Sequence, residues 1–327
     1  MTISMDGLDS SNPTSHMNLR RPVRARLSIG SRTYANELRA TARFTDRDFR
    51  MVRLIYHTGL LSRDQLQRLF WQEVRASGTV SDRLRVLYKR WVVNIAPDVS
   101  YNMRRAGMVP CHVYTLGTVG EEIMALDEHK RRHELAYNRR YATGRSRQNI
   151  MHDLMTAEIY VQAIAYAGQY NRQLWQAIES DEQYKARRLL IRWHSEREAA
   201  VWQTDKELVR PDGAMEIIIG RERSFFFVEL DRGHTRWEKK VAVYDNARQF
   251  GGWQNQFGIH DYPAVLLVVP DGHSQRVGDR VAAQKPQTRY LLKEWSDFLA
   301  EPMAGWQDVG GDRNIALTPD TIVSPER

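Results

Sequence analysis

Only one cysteine, Cys111, stands among the 327 residues. A single thiol excludes an internal disulfide framework and points to a reducing compartment, the cytoplasm. No apolar run approaches the roughly 20 residues of a membrane span. The polar N-terminus lacks the hydrophobic centre of a signal peptide, so no membrane attachment is expected. Acidic residues are in deficit: 40 Asp and Glu face 48 Lys and Arg, leaving a net charge of +8. That sign favours a polyanionic partner, nucleic acid ahead of a membrane surface, although a basic chain with an unrelated role has the same excess. Hydrophobic residues make up 42% of the chain, enough for real cores. The length suggests two domains.

Residues 1–40 read as a disordered basic arm, with Arg20, Arg21, Arg24 and Arg26 around Pro22. Helical periodicity then starts. In "FTDRDFRMVRLIYHTG", Thr45 and Asp46 are cap candidates, Phe49, Val52, Leu54 and Ile55 are the apolar positions, and Gly59 is the stop. Ser62 caps "RDQLQRLFW", which carries Leu66, Leu69 and Phe70 on one face. A third helix over 79–91 buries Val80, Leu84, Leu87 and Trp91 and carries Arg83, Arg85, Lys89 and Arg90 elsewhere. "VVNIAP" and "HVYTL" read as strands of a hairpin whose variable link holds Arg104 and Arg105. Three short helices and a hairpin over 44–117 are the winged form of the helix-turn-helix, with the third helix as the groove reader. A protein-interaction module of the same shape has the same pattern.

Residues 118–149 form a helical, then densely basic connector. Arg131, Arg132, Arg139 and Arg140 are interleaved with Tyr137 and Tyr141, a mixture suited to phosphate contact and stacking, or to a solvated linker. An α/β domain is expected over 150–305 and a loose tail over 306–327. It opens on an amphipathic helix from 149, where His152 reads as a helix-start residue. Residues 175–200 fit strand or helix. "GAMEIIIG" and "SFFFVELD" read as a hairpin, 235–249 as a helix and "YPAVLLVVPD" as a buried central strand. The last three elements make a βαβ crossover with parallel strands. Helices over 275–284 and 288–299 are expected to pack on the sheet. The fold class is therefore α/β and α+β: a winged helix followed by an α/β core with a mixed sheet.

The carboxylates of the second half carry the chemistry. Asp212 follows Pro211 at the start of one strand, and Glu229 lies in the next, with Asp231 two positions on and on the same face. Both faces of that strand are apolar, so it is covered on both sides. Carboxylates leaving such a strand are costly unless something binds them. A divalent cation with oxygen ligands, Mg²⁺ or Mn²⁺ in its place, would compensate them, and no organic cofactor is indicated. Lys240, with Lys239 and Arg236 nearby, lies on the helix that follows. Tyr244, four residues after Lys240, points the same way. The same residues also read as a turn at Pro211–Asp212–Gly213 and an ion cluster of Glu229 and Asp231 with Arg232, Arg236 or Lys240.

The arrangement resembles the PD-(D/E)-x-K nuclease fold, here restriction-endonuclease-like. The resemblance implies Asp212 and Glu229 as metal ligands, Glu158 as the acid of the leading helix, and catalytic assistance from Asp231. The chain departs from the pattern at Asp231, where the fold places lysine; Lys240 would then supply the ammonium from the following helix. The order of motifs, "HDL" at a helix start, then "PDG", "ELDRG" and Lys240-x-x-x-Tyr244, resembles the replication-relaxation family over roughly residues 45–270. Those are proteins of plasmids and other mobile elements, implicated in plasmid replication and conjugative DNA transfer. The resemblance implies DNA as partner, beside a second copy of the chain or other replication and transfer proteins. Two functions stay open: a Mg²⁺-dependent DNA endonuclease, and a non-catalytic DNA-binding adaptor or transcriptional regulator with a degenerate nuclease fold.

Overall fold

A computed structural model describes residues 30–41, 43–71, 77–96, 111–135, 147–178, 180–233, 235–311 and 314–317. Arg104, Arg105, Arg139, Arg140 and His234 lie outside the described residues, as does the arm up to residue 29. The last part of that arm's expected span is instead helix α1, Ser31–Arg39.

Helix α2 (Asp46–Thr58) starts where the sequence puts it. Thr45 and Asp48 form a reciprocal capping box, and Gly59 ends the helix at φ 82°. Strand β1 (Leu61–Ser62) leads into α3 (Arg63–Phe70), capped by Ser62 and Gln65. Helix α4 (Ser77–Lys89) then precedes β2 (Val93–Ile95) and β3 (Val113–Leu116). These three strands form an antiparallel sheet in the order β1-β3-β2. Helix α5 (Thr118–Asp127) and a 3₁₀ turn at Arg132–Glu134 complete the first half.

The second half hangs on α6 (Arg147–Ala177). After α7 (Asp181–Arg187), strand β4 (Leu189–Ser195) resolves the ambiguous 175–200 region as helix, then strand. A single-turn helix α8 (Glu196–Ala199) and a hairpin of β5 (Val201–Gln203) and β6 (Lys206–Val209) follow. Then come β7 (Gly213–Ile219), β8 (Glu222–Leu230), α9 (Trp237–Phe250), α10 (Trp253–Phe257) and β9 (Ala264–Val269). The chain continues through α11 (Ser274–Ala282), β10 (Tyr290–Glu294) and α12 (Trp295–Ala300). It closes with β11 (Trp306–Asp308) and β12 (Asn314–Ile315). The large sheet runs β12-β11-β10-β9-β8-β7-β4 and is mixed: β8, β9 and β10 are parallel, the other pairs antiparallel.

Two expectations change here. The segment 288–299 is not one helix but β10 followed by α12. "YLLKE" fits either period, and pairing with β9 across Leu291–Leu266 decides for strand. The expected loose tail contributes β11 and β12, anchored by the fully buried Trp306.

Both faces of the sheet are covered, as the double apolar pattern of β8 requires. Met215, Ile217, Val228 and Leu266 face one core; Ala214, Phe225, Phe227 and Leu267 face another, under α9. The first core is continuous with Val52, Leu66 and Leu84 of the N-terminal helices and with Leu154 of α6. No helix among the described residues is long and apolar enough to cross a membrane.

Candidate functional site

Asp212 and Glu229 meet because β7 and β8 are antiparallel. Gly213 stands opposite Val228, so the start of β7 and the end of β8 share one end of the sheet. The C-terminal end of parallel β9 is there too, the usual place for a ligand crevice in an open α/β sheet. The Asp212 backbone donates to the Val228 carbonyl at 3.1 Å, and its Oδ2 accepts from the Leu230 amide at 2.8 Å. Its Oδ1 lies 2.9 Å from His152 Nε2. Asp212 therefore does more than form a turn: it ties two strands to α6.

Glu229 is 1% exposed. Helix α9 presents Lys240 and Tyr244 to it, one turn apart. The Lys240 ammonium bonds Oε2, and the Tyr244 hydroxyl donates to Oε1. Lys240 also lies over the Trp237 ring, 5.9 Å from its centroid.

The charges explain one another. Burial works against the Asp212 carboxylate, but His152, then Lys240 and the Leu230 amide, outweigh it and hold its pKa down at about 2. Burial also works against imidazolium at His152, yet Asp212 raises that pKa. At Glu229 burial wins: with the like charge of Asp212 it pushes the carboxyl up to about 8, against the pull of Lys240 and Tyr244. Burial disfavours the Lys240 ammonium, but Glu229 and Asp212 more than offset this and raise its pKa. The three upward shifts, at His152, Glu229 and Lys240, have one meaning: a buried site with two carboxylates retains protons.

The other candidates go elsewhere. Asp231 turns into the loop that aims α9. Its Oδ1 accepts from Gly233 N at 2.8 Å and from Thr235 Oγ1 at 2.8 Å, while Oδ2 accepts from Trp237 Nε1 at 3.0 Å. Burial opposes its charge, but these donors lower its pKa. Glu158 sits six residues past His152, about 9 Å along the helix and on another face. It accepts from Arg68 at 2.7 and 2.6 Å, from Gln65 at 2.9 Å and from Gln162 at 2.7 Å. It thus clamps α3 onto α6. The residue of α6 that reaches Asp212 is His152, which by sequence alone marks only the start of a helix. Its partner is 60 positions away, and local spacing carries no signal of the contact.

A narrow cleft of about 40 Å³ opens beside Asp212, between the end of α2, α6 and the β4–α8 corner; His57, Thr156 and Arg197 also line it. It lies where the N-terminal helices meet the sheet.

On α4 and at its C-terminal end the four bases divide. Arg83 is spent on buried Asp48, through Nε at 2.7 Å and through NH2, and on the Arg43 carbonyl at 2.9 Å. Arg90 bonds the same carbonyl at 3.2 Å. Arg85 is exposed, with a 3.2 Å contact to Asp82 one turn back, and Lys89 is exposed. Arg131 is exposed, whereas Arg132 leans on Glu121 and Glu122 at 3.5 and 3.8 Å.

Among the described residues no group of three or more His, Cys, Asp or Glu is placed to hold a metal ion. Two oxygen-donor carboxylates remain a fit for Mg²⁺, which keeps much of its water shell and commonly takes only one or two protein carboxylates. Both Glu229 oxygens already face protein donors, the Lys240 ammonium and the Tyr244 hydroxyl.

A family model described as "Replication-relaxation" matches residues 52–261. Neither a curated protein nor a solved structure matches the chain.

Proposed function

The chain belongs to the replication-relaxation family, and from that premise we propose a DNA-processing protein of plasmid replication or transfer. It would bind duplex DNA through residues 44–117 and cut a phosphodiester bond at Asp212, Glu229 and Lys240. One observation carries the cleavage reading: three different elements bring two acids and a lysine to one end of the sheet. The helix after β8 supplies the ammonium that Asp231 does not.

Asp212 and Glu229 would hold Mg²⁺, or Mn²⁺, which when bound supplies Lewis-acid polarisation of the phosphate. Lys240 would offset negative charge as it grows on the phosphoryl oxygens. Tyr244 fixes the Glu229 carboxylate from a fully buried position, and His152 orients Asp212. The test is nicking of supercoiled plasmid DNA in Mg²⁺ or Mn²⁺, with loss expected in the Asp212→Ala, Glu229→Ala double variant. Equal nicking by that variant and the wild type overturns the reading.

A second reading, a DNA-binding adaptor, draws on a different fact. All four oxygens of the two carboxylates already face a protein donor. In that case the same network only braces the sheet, and the wild type does not nick DNA under any metal.

The duplex-binding reading rests on the helix order, the β1-β3-β2 sheet and the exposed bases of α4. Arg85→Glu with Lys89→Glu should weaken duplex binding and lower the salt slope by about 2, roughly 0.9 for each phosphate no longer neutralised. Unchanged affinity and slope in that variant reject α4 as the reader.

A further inference from the structure

The far end of the sheet carries a surface that the acidic site does not use. Strand β7 starts beside Asp212 and ends at Ile219, about 20 Å away at strand rise. There Gly220 turns the chain at φ 60°, so close to α7 that an added Cβ would meet the Ala186 carbonyl at 2.1 Å. This approach brings the turn that precedes Arg221 against the end of α7, where Arg187 and Arg188 follow Ala186. Lys185 lies on the same short helix, and Arg172 on α6. All five are exposed, and among the described residues no ion pair engages them. Neighbouring Arg192 and Arg223, by contrast, are both directed at Glu216. Among the described residues, the acids near these bases include Asp181 and Glu182, in the first turn of α7 where the helix dipole favours them, and Glu222, next to Arg221 in sequence.

An aromatic stands among these bases. Trp175 is 55% exposed, held edge-on by Tyr184 with centroids 5.0 Å apart and planes at 89°. Tyr184 braces the ring from one side and leaves much of its surface to solvent. Three residues back, Arg172 lines an open groove of about 470 Å³ between α6 and the 299–302 segment, along with Gln169, Tyr170 and Gln173. Arg187 acts electrostatically on the Tyr170 phenol, so the groove and the basic patch adjoin.

We propose that this patch binds single-stranded DNA. Exposed cations suit the phosphates, the exposed indole suits a base face, and glutamine amides suit base edges. A duplex hides its base faces, so a stacking platform selects the single strand. The surface is separate from α4 and from Asp212, and it does not depend on cleavage.

The test is anisotropy of a fluorescein-labelled oligothymidylate with the full chain in chelator, where no metal-dependent cutting occurs. Trp175→Ala should weaken binding about tenfold, and Trp175→Phe should retain most of it. Arg172→Ala with Arg187→Ala should lower the salt slope by about 1.4, roughly 0.7 for each phosphate of a single strand. Arg85→Glu with Lys89→Glu should leave oligothymidylate binding intact, and the Trp175 variants should leave duplex binding intact. Wild-type affinity and slope in both patch variants overturn the proposal. So does loss of binding in the α4 variant alone, or polyglutamate competing as well as unlabelled oligothymidylate, which would mark an acidic polypeptide as the occupant.

Discussion

Glu229→Gln should cut nicking by at least about 100-fold and flatten the pH dependence of stability expected of the wild type. The unfolded carboxyl titrates near 4.5, whereas burial in the native state raises it to about 8. Between those values the folded chain holds a proton that the unfolded chain has released. Stability therefore falls as pH rises through that window. Glutamine has no proton to lose, so the variant gains on the wild type at pH 8 and matches it more closely near pH 5. Asp212 has the opposite sign. Its carboxyl is held down at about 2 against an ordinary 3.8, so its contribution is present above 3.8 and lost as pH falls toward 2. That acid limb should survive in Glu229→Gln. Denaturant titrations at several pH values, beside nicking assays on the same samples, separate the effects. A variant that nicks like the wild type would remove Glu229 from the metal-holding role, and one that keeps the wild-type slope between pH 5 and 8 would show that Glu229 is not the buried proton holder.

Much of this site was legible because its parts obey local rules. "FFFVEL" is a strand with two apolar faces, and both cores are there. Lys240 and Tyr244 are one helical turn apart, and both reach Glu229. What local rules mislead about is where a strand stops. Period 2 places Asp231 on the face of Glu229, but the strand ends at Leu230, and Asp231 spends its oxygens on the turn into α9. Long-range partners are the other blind spot. Glu158 is an acid on the right helix, yet Arg68 and Gln65 claim it, and only tertiary packing reveals that His152 is the residue next to Asp212. The β10 segment was misread for a third reason. Five residues of mostly apolar sequence have no period of their own, and the β9 edge supplied one.

Arg83 shows the same limit on the N-terminal half, and it yields the largest expected loss of stability. By helical periodicity it is one of four bases on the free face of α4. In the fold, its guanidinium grips Asp48, which is fully buried and already accepts from the Thr45 amide at 2.7 Å and the Thr45 hydroxyl at 2.9 Å. Asp48 thus caps α2 and anchors α4 at once. Burial opposes its charge, but Arg83 and Thr45 lower its pKa below 3.8. Arg83→Ala leaves that carboxylate buried without its cation, at a cost on the order of 3 kcal/mol. Arg85→Ala and Lys89→Ala, both on exposed side chains, should cost within about 0.5 kcal/mol. The pair contributes stability above pH 3.8 that is lost as pH falls through the lowered pKa, so the Arg83→Ala deficit should shrink in acid. Asp48→Asn should be milder, because a neutral amide can still accept from Thr45. Equilibrium denaturation of the three arginine and lysine variants decides the matter. A small effect at Arg83, matching that at Arg85, would return it to the set of bases free to meet DNA.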